Sequence, residues 1–247
     1  MNLKEAAERL GGICTFSFSQ GRALKVAEPR RHVSEAHKDG SWDDQGKLFR
    51  MVLRGPVHGK KAEMGGVCAT HVAFWIAFHS SQESGANANF TKGRSVWEYL
   101  YDSNGLNMGA ATNIVVEHHR SSGNQDAYFR EFLNSFKLKK RGNSMSGAKV
   151  PCVWMPFTPD TAFSVGEAIF SRNGYKMIQL RSAKGGGGHM IGAWSDTQDV
   201  LFMDPNVGEF WFQDKTAFKI WLSYFFKRMY GNPCRYNKTR IQVYAAA

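Results

Sequence analysis

The sequence predicts an α+β protein. Helical periodicity dominates the first half and strand-like runs cluster in the second. The two kinds of element do not alternate, as a parallel sheet with crossover helices would require. The 247 residues are enough for one large domain or two small ones, and seven Trp and eighteen Phe can fill a sizeable core.

Helical spacing is clearest over 67–80, 94–102, 125–137, 161–171 and 214–229. The last carries Phe218, Trp221, Leu222, Phe225 and Met229 on one stripe, which reads as core. Strand-like runs lie near 47–53, 151–157, 175–181, 189–194, 200–204 and 208–213. Residues 20–46 are polar and charged, so 1–44 is expected to be an N-terminal segment, partly mobile, ahead of one domain over 45–247. Residues 139–149 read as a second exposed loop.

Thirty-two Lys and Arg against twenty-one Asp and Glu give a formal net charge of +11, which favours acidic partners. The basic residues are dispersed. The densest run, Lys137-Leu138-Lys139-Lys140-Arg141, interleaves no aromatics, so no specific nucleic-acid module is expected. A solvated basic surface is the plainer reading, and attraction to an anionic membrane surface or an acidic substrate lies between that and a nucleic-acid site. No apolar run approaches the ~20 residues of a membrane span, and the first residues lack the apolar core of a secretory signal. Cys14, Cys68, Cys152 and Cys234 show neither metal-ligand nor CxxC spacing and are too sparse for a disulfide framework. No metal or organic cofactor is expected.

One cysteine has a distinctive setting. Gly65-Gly66-Val67-Cys68 leads directly into the apolar run Val72-Ala73-Phe74-Trp75-Ile76-Ala77-Phe78. Cys68 then falls in the first turn of a helix, where backbone N–H groups lack intrahelical partners and the helix dipole favours an anion. The thiolate is the nucleophilic form of cysteine, and the glycines let a substrate approach the backbone. A free cysteine taken by itself is more often a small buried apolar residue. That reading covers Cys14, Cys152 and Cys234, which lack the glycine-then-helix setting. His71 lies on the same helix and receives a minor role at most.

A second informative stretch begins at Gly185-Gly186-Gly187-Gly188-His189 and runs to Asp204-Pro205-Asn206. Two apolar runs flank Ser195-Asp196-Thr197-Gln198, so an antiparallel hairpin is predicted with that tetrapeptide as its loop. The register then opposes Trp194 to Asp199 and His189 to Asp204, placing imidazole and carboxylate on one face about 5 Å apart. A carboxylate so placed, expected at His189 Nδ1, fixes the histidine tautomer and stabilises the imidazolium. The glycine run is no phosphate loop, since it lacks a GK[ST] ending and precedes a strand. Cysteine, histidine and aspartate in that order is the arrangement of papain-like thiol chemistry.

Gly65-Gly66-Val67-Cys68, His189 and especially Met203-Asp204-Pro205-Asn206-Val207-Gly208-Glu209-Phe210 resemble the YopT/AvrPphB-type cysteine proteases, bacterial effectors of the papain-like clan. The resemblance is clear over 60–80 and 185–215. It implies a papain-like fold, with an N-terminal helical half that carries the nucleophile at a helix start and packs on a C-terminal antiparallel sheet. It implies Cys68 as nucleophile, His189 as base and Asp204 as its orienting partner. It also implies secretion into a host cell and a host protein as substrate; a monomeric enzyme is expected. In the family an amide side chain a few residues before the cysteine serves the oxyanion hole. Here that stretch offers Glu63, a carboxylate that donates only when protonated, so Glu63, Gly66 and Val67 are the candidates for substrate positioning and the Cys68 backbone N–H becomes the main donor. Some members cut themselves ahead of the catalytic domain. Lys38-Asp39-Gly40-Ser41-Trp42 is the best such site here, but no cleavage signal stands out, and the segment is expected to stay ordered through Trp42. Two alternatives remain open at this point: a glutamine deamidase or transglutaminase toxin using the same three residues, and a non-catalytic basic binding module.

Overall fold

The computed structural model describes residues 1–18, 67–103, 105–121, 124–141, 155–157, 162–182, 188–231 and 236–246. The chain divides into two compact units, one of Met1–Phe18 with Lys137–Ala247 and one of Ser19–Phe136. The expected strand at 47–53, the domain boundary near 45 and the candidate cleavage site at 38–42 lie outside the described residues.

The sheet unit begins with helix α1 (Leu3–Arg9) and strand β1 (Ile13–Ser17). Asn2 caps α1, accepting the Glu5 N–H at 2.9 Å. Both elements lie within the stretch expected to be a segment ahead of the domain, and β1 pairs with a strand near the other end of the chain.

The helical unit follows. It holds α2 (Val67–Ser84), α3 (Ala88–Thr91), α4 (Val96–Leu100), α5 (Met108–Ser121) and α6 (Gln125–Asn134), with a small hairpin of β2 (Tyr101–Asp102) and β3 (Gly105–Leu106). Helix α2 is buried on nearly every face, as its unbroken apolar run requires. Its Phe74 stacks on Phe132 at 5.2 Å and meets Phe78 and Phe90. Ser95 starts α4 with a capping box, Glu98 Oε2 accepting the Ser95 N–H at 2.7 Å. Helix α5 escapes the sequence reading although Asn107 caps it, its Oδ1 accepting the Ala110 N–H at 3.0 Å.

The sheet unit resumes at β4 (Leu138–Arg141) and β5 (Met155–Pro156), then α7 (Ala162–Phe170), β6 (Gly174–Arg181), β7 (Gly188–Ser195), β8 (Val200–Asp204) and β9 (Gly208–Phe212). Helix α8 (Lys215–Tyr230) and β10 (Lys238–Ala246) complete it. The strands form one antiparallel sheet in the order β1-β9-β8-β7-β6-β10-β4, with β5 also on β10. Residues 139–141, expected in a loop, are strand, because Lys139 and Lys140 pair with Ala245 and Tyr244 at the sheet edge while their side chains stay out of the core. Strand β10, which the sequence reading also omits, sits between β6 and β4.

Helices α1, α7 and α8 share one hydrophobic core with one face of the sheet. Ala6, Val165, Phe218, Trp221, Phe225 and Phe226 from the helices join Ile178, Ile191, Phe202 and Phe212 from the strands. Side chains alternate across a sheet. His189, Ile191, Ala193 and Ser195 of β7 therefore share a face, as do Val200, Phe202 and Asp204 of β8. That face is the one the helices cover. The architecture is α+β, an antiparallel sheet with segregated helices, as the pattern of elements predicts.

Candidate active site

The β7–β8 hairpin turns one residue later than the sequence suggests. Ser195 opposes Val200 and Trp194 opposes Leu201, so the loop is Asp196–Asp199. Asp196 drives this: its Oδ1 accepts the Gln198 and Asp199 N–H groups at 2.7 and 2.6 Å, closing the turn on itself. Ser195 looks like a loop residue because it is polar. It is fully buried, donating to the Ile169 carbonyl at 2.9 Å and accepting from Lys176 Nζ at 2.5 Å.

The register thus differs by two from the expected one, and His189 does not oppose Asp204 directly. A shift of two is a full pleat period, so both side chains still fall on the same face, now as diagonal neighbours. His189 Nε2 lies 3.1 Å from Asp204 Oδ1. The nitrogen facing the carboxylate is Nε2 and not the expected Nδ1. His189 is 4% exposed and Asp204 0%.

The tight turn after β8 explains the Asp-Pro-Asn-x-Gly sequence. Pro205 presets φ at the second position of a turn closed by Val207 N–H to Asp204 carbonyl, 3.0 Å. The Asn206 N–H also donates to Asp204 Oδ1 at 2.7 Å, so the turn orients the carboxylate that precedes it. Gly208 has φ +126°, and a Cβ there would collide with the Phe16 carbonyl oxygen of β1.

Two residues the sequence reading missed complete this cluster. Tyr230, at the end of α8, donates its hydroxyl to Asp204 Oδ2 at 2.6 Å. Tyr236 lies nearly parallel to the His189 ring, with centroids 6.4 Å apart and planes at 19°. The α8 stripe ends on Tyr230, four residues after Phe226, whereas Met229 is 37% exposed. A tyrosine at the end of an otherwise largely apolar stripe was the available signal.

Cys68 is the second residue of α2 and is buried, as is Val67 before it. Glu63 and Gly66 lie outside the described residues. His71 is buried one turn on, edge to face with Trp97 at 5.6 Å. Cys14 of β1 is partly exposed, and burial is the main cause that pushes its thiol above the ordinary range. Cys152 and Cys234 lie outside the described residues.

A sequence profile described as Yersinia/Haemophilus virulence surface antigen, Peptidase_C58, matches residues 6–246. The cysteine protease yopT1 of Yersinia enterocolitica is 28% identical over 245 residues, covering 94% of this chain. The chain spans 63% of the length of that curated relative. Among solved structures, the Pseudomonas avirulence protein AvrPphB is 14% identical, covering 79% of this chain and 100% of its own, at a TM-score of 0.49. The YopT domain of the Pasteurella multocida PfhB2 toxin is 19% identical, covering 90% of this chain and 89% of its own, at a TM-score of 0.29. With its profile matched over almost its whole length, the chain belongs to the Peptidase_C58 family of cysteine proteases.

Proposed function

We propose that this chain is a cysteine protease that hydrolyses an amide bond in a host protein, with Cys68 as nucleophile, His189 as base and Asp204 as orienting carboxylate. The observation that carries this reading is the buried pair of His189 Nε2 and Asp204 Oδ1, 3.1 Å apart. An ionised carboxylate accepts and cannot donate, so Nε2 carries the proton and proton exchange falls to Nδ1. The Cys68 thiolate attacks the carbonyl carbon. The oxyanion is held by the Cys68 backbone N–H, with Gly66 and Val67 shaping the approach and Glu63 donating only when protonated. His189 then protonates the leaving amine, and water attacks the thioester to release the acid and restore the thiol. The three residues supply the whole reaction without a metal or organic cofactor.

The family membership supports delivery from a bacterium into the host cytoplasm. The net charge of +11 suits contact with an anionic membrane there. No helix among the described residues is long and apolar enough to cross a membrane. The chain is read as acting alone, as a monomer.

The test compares host cells expressing wild type and Cys68→Ala by mapping new protein termini and deamidated side chains. New termini that depend on Cys68 support a protease. Substrates left whole but about 1 Da heavier, as amide-to-acid conversion requires, replace it with a deamidase using the same residues. No difference between the two expressions removes the enzymatic reading.

A further inference from the structure

Asp204 is fully buried, and both of its oxygens are engaged. Oδ1 faces His189 Nε2 and accepts the Asn206 N–H, while Oδ2 accepts the Tyr230 hydroxyl. Turn and hairpin neighbours supply the first two contacts. The third comes from a different element, the last turn of α8, 26 residues along the chain.

The rest of the buried α8 stripe is Phe218, Trp221, Leu222, Phe225 and Phe226. A phenylalanine at 230 would fill the same space against Phe225, Phe226 and Tyr236. Packing therefore does not account for the hydroxyl. Burial, and then the Asp204 charge, push the Tyr230 phenol well above its ordinary range, so it stays a donor at any physiological pH. A carboxylate with one oxygen unheld can rotate about its χ2; held at both, it presents one lone-pair direction to the imidazole.

We infer that Tyr230 is a positioning residue of the site: its hydroxyl locks the Asp204 carboxylate and thereby holds His189 in the Nε2–H tautomer. The catalytic consequence rests on the proposed role of His189 as base. The structural link between the three side chains does not.

The test is ¹⁵N NMR of the imidazole nitrogens in the full chain, with His189→Gln to assign the signal. Wild type should show a single Nε2–H tautomer above the pH at which the ring loses its charge. Tyr230→Phe should show averaged tautomers and slow the alkylation of Cys68 by iodoacetamide on the order of tenfold, the scale seen when a group orienting a histidine is lost. A purely structural tyrosine would leave the tautomer untouched, since phenylalanine keeps the ring. Unchanged tautomer shifts in Tyr230→Phe overturn the inference. A second measurement needs no variant: the Tyr230 hydroxyl proton in wild type should exchange with water slowly enough to be seen, and its absence overturns the inference as well. A wild-type Cys68 that reacts no faster than Cys14 counts against the protease reading alone, because the tautomer comparison is read the same way in either case.

Discussion

Lys176 meets Ser195 inside the core of the sheet unit, Nζ to Oγ, at 2.5 Å. Nζ also donates to the Gly174 carbonyl at 2.8 Å, and Ser195 passes the chain on to Ile169 at the end of α7. Desolvation, helped by the charge of Lys215, brings the lysine down to about 7 from 10.5. Between those two pH values the unfolded chain binds a proton that the folded chain lacks, so raising the pH favours the fold. Stability should rise from pH 7 towards 10 with a limiting slope of about 1.4 kcal/mol per pH unit. Lys176→Met should lose that slope. Urea midpoints at pH 7, 8, 9 and 10 decide the matter, and parallel curves for the two proteins would refute it.

Cys68→Ala should abolish the production of new termini in host cells, while Cys14→Ser, Cys152→Ser and Cys234→Ser should each keep most of it. Cys14 sits on an edge strand and is pushed by burial away from the thiolate. Labelling with an epoxysuccinyl probe followed by peptide mapping gives the same ranking independently. Full activity in Cys68→Ala would end the thiol-protease reading.

Asp204→Asn should leave the melting transition in place and lower the rate of cleavage by up to about 10⁴-fold, the loss expected when an orienting carboxylate becomes an amide and the histidine tautomer is no longer held. The measurement is the initial rate against a substrate found by terminus mapping. A rate within a few-fold of wild type would show that the buried pair plays no part in turnover.

Gly208→Ala should be among the most damaging small substitutions in the sheet unit. Its φ of +126° disfavours any side chain, and the added methyl meets the backbone of Phe16 and Phe18. Gly85→Ala, at φ +68° with nothing within 4 Å, supplies the comparison. The first should lose several kcal/mol and the second about 1 kcal/mol. Equal thermal shifts would show that strand β1 yields to the methyl.

Long apolar runs and strong turn residues were legible. Helix α2, both strands of the β7–β8 hairpin and the shared face of His189 and Asp204 follow from local pattern. The register missed by two because Ser195 is polar, and only its distant partners Lys176 and Ile169 make it a strand residue. Strand β10 carries Lys238, Arg240 and Gln242 among its apolar residues and reads weakly as a strand, and its three partners β4, β5 and β6 are all far away in sequence. Tyr230 stands out locally as the polar end of the α8 stripe, but nothing local points it to Asp204, since their contact depends on where α8 ends. Interactions that span the chain are what a residue-by-residue reading lacks.

Strand β1 is the edge partner of β9, and the α1 segment before it is pinned by Tyr224 and Trp221 of α8, which donate to the Met1 and Leu3 carbonyls. During synthesis β1 leaves the ribosome well before its partner β9. At ordinary elongation rates that interval is roughly 10–40 s, through which the whole helical unit emerges in between. The open edge of β9 is then covered only when β1 folds back onto it. A nascent chain would therefore carry every residue of the proposed triad while the sheet beside His189 and Asp204 is still missing its β1 edge.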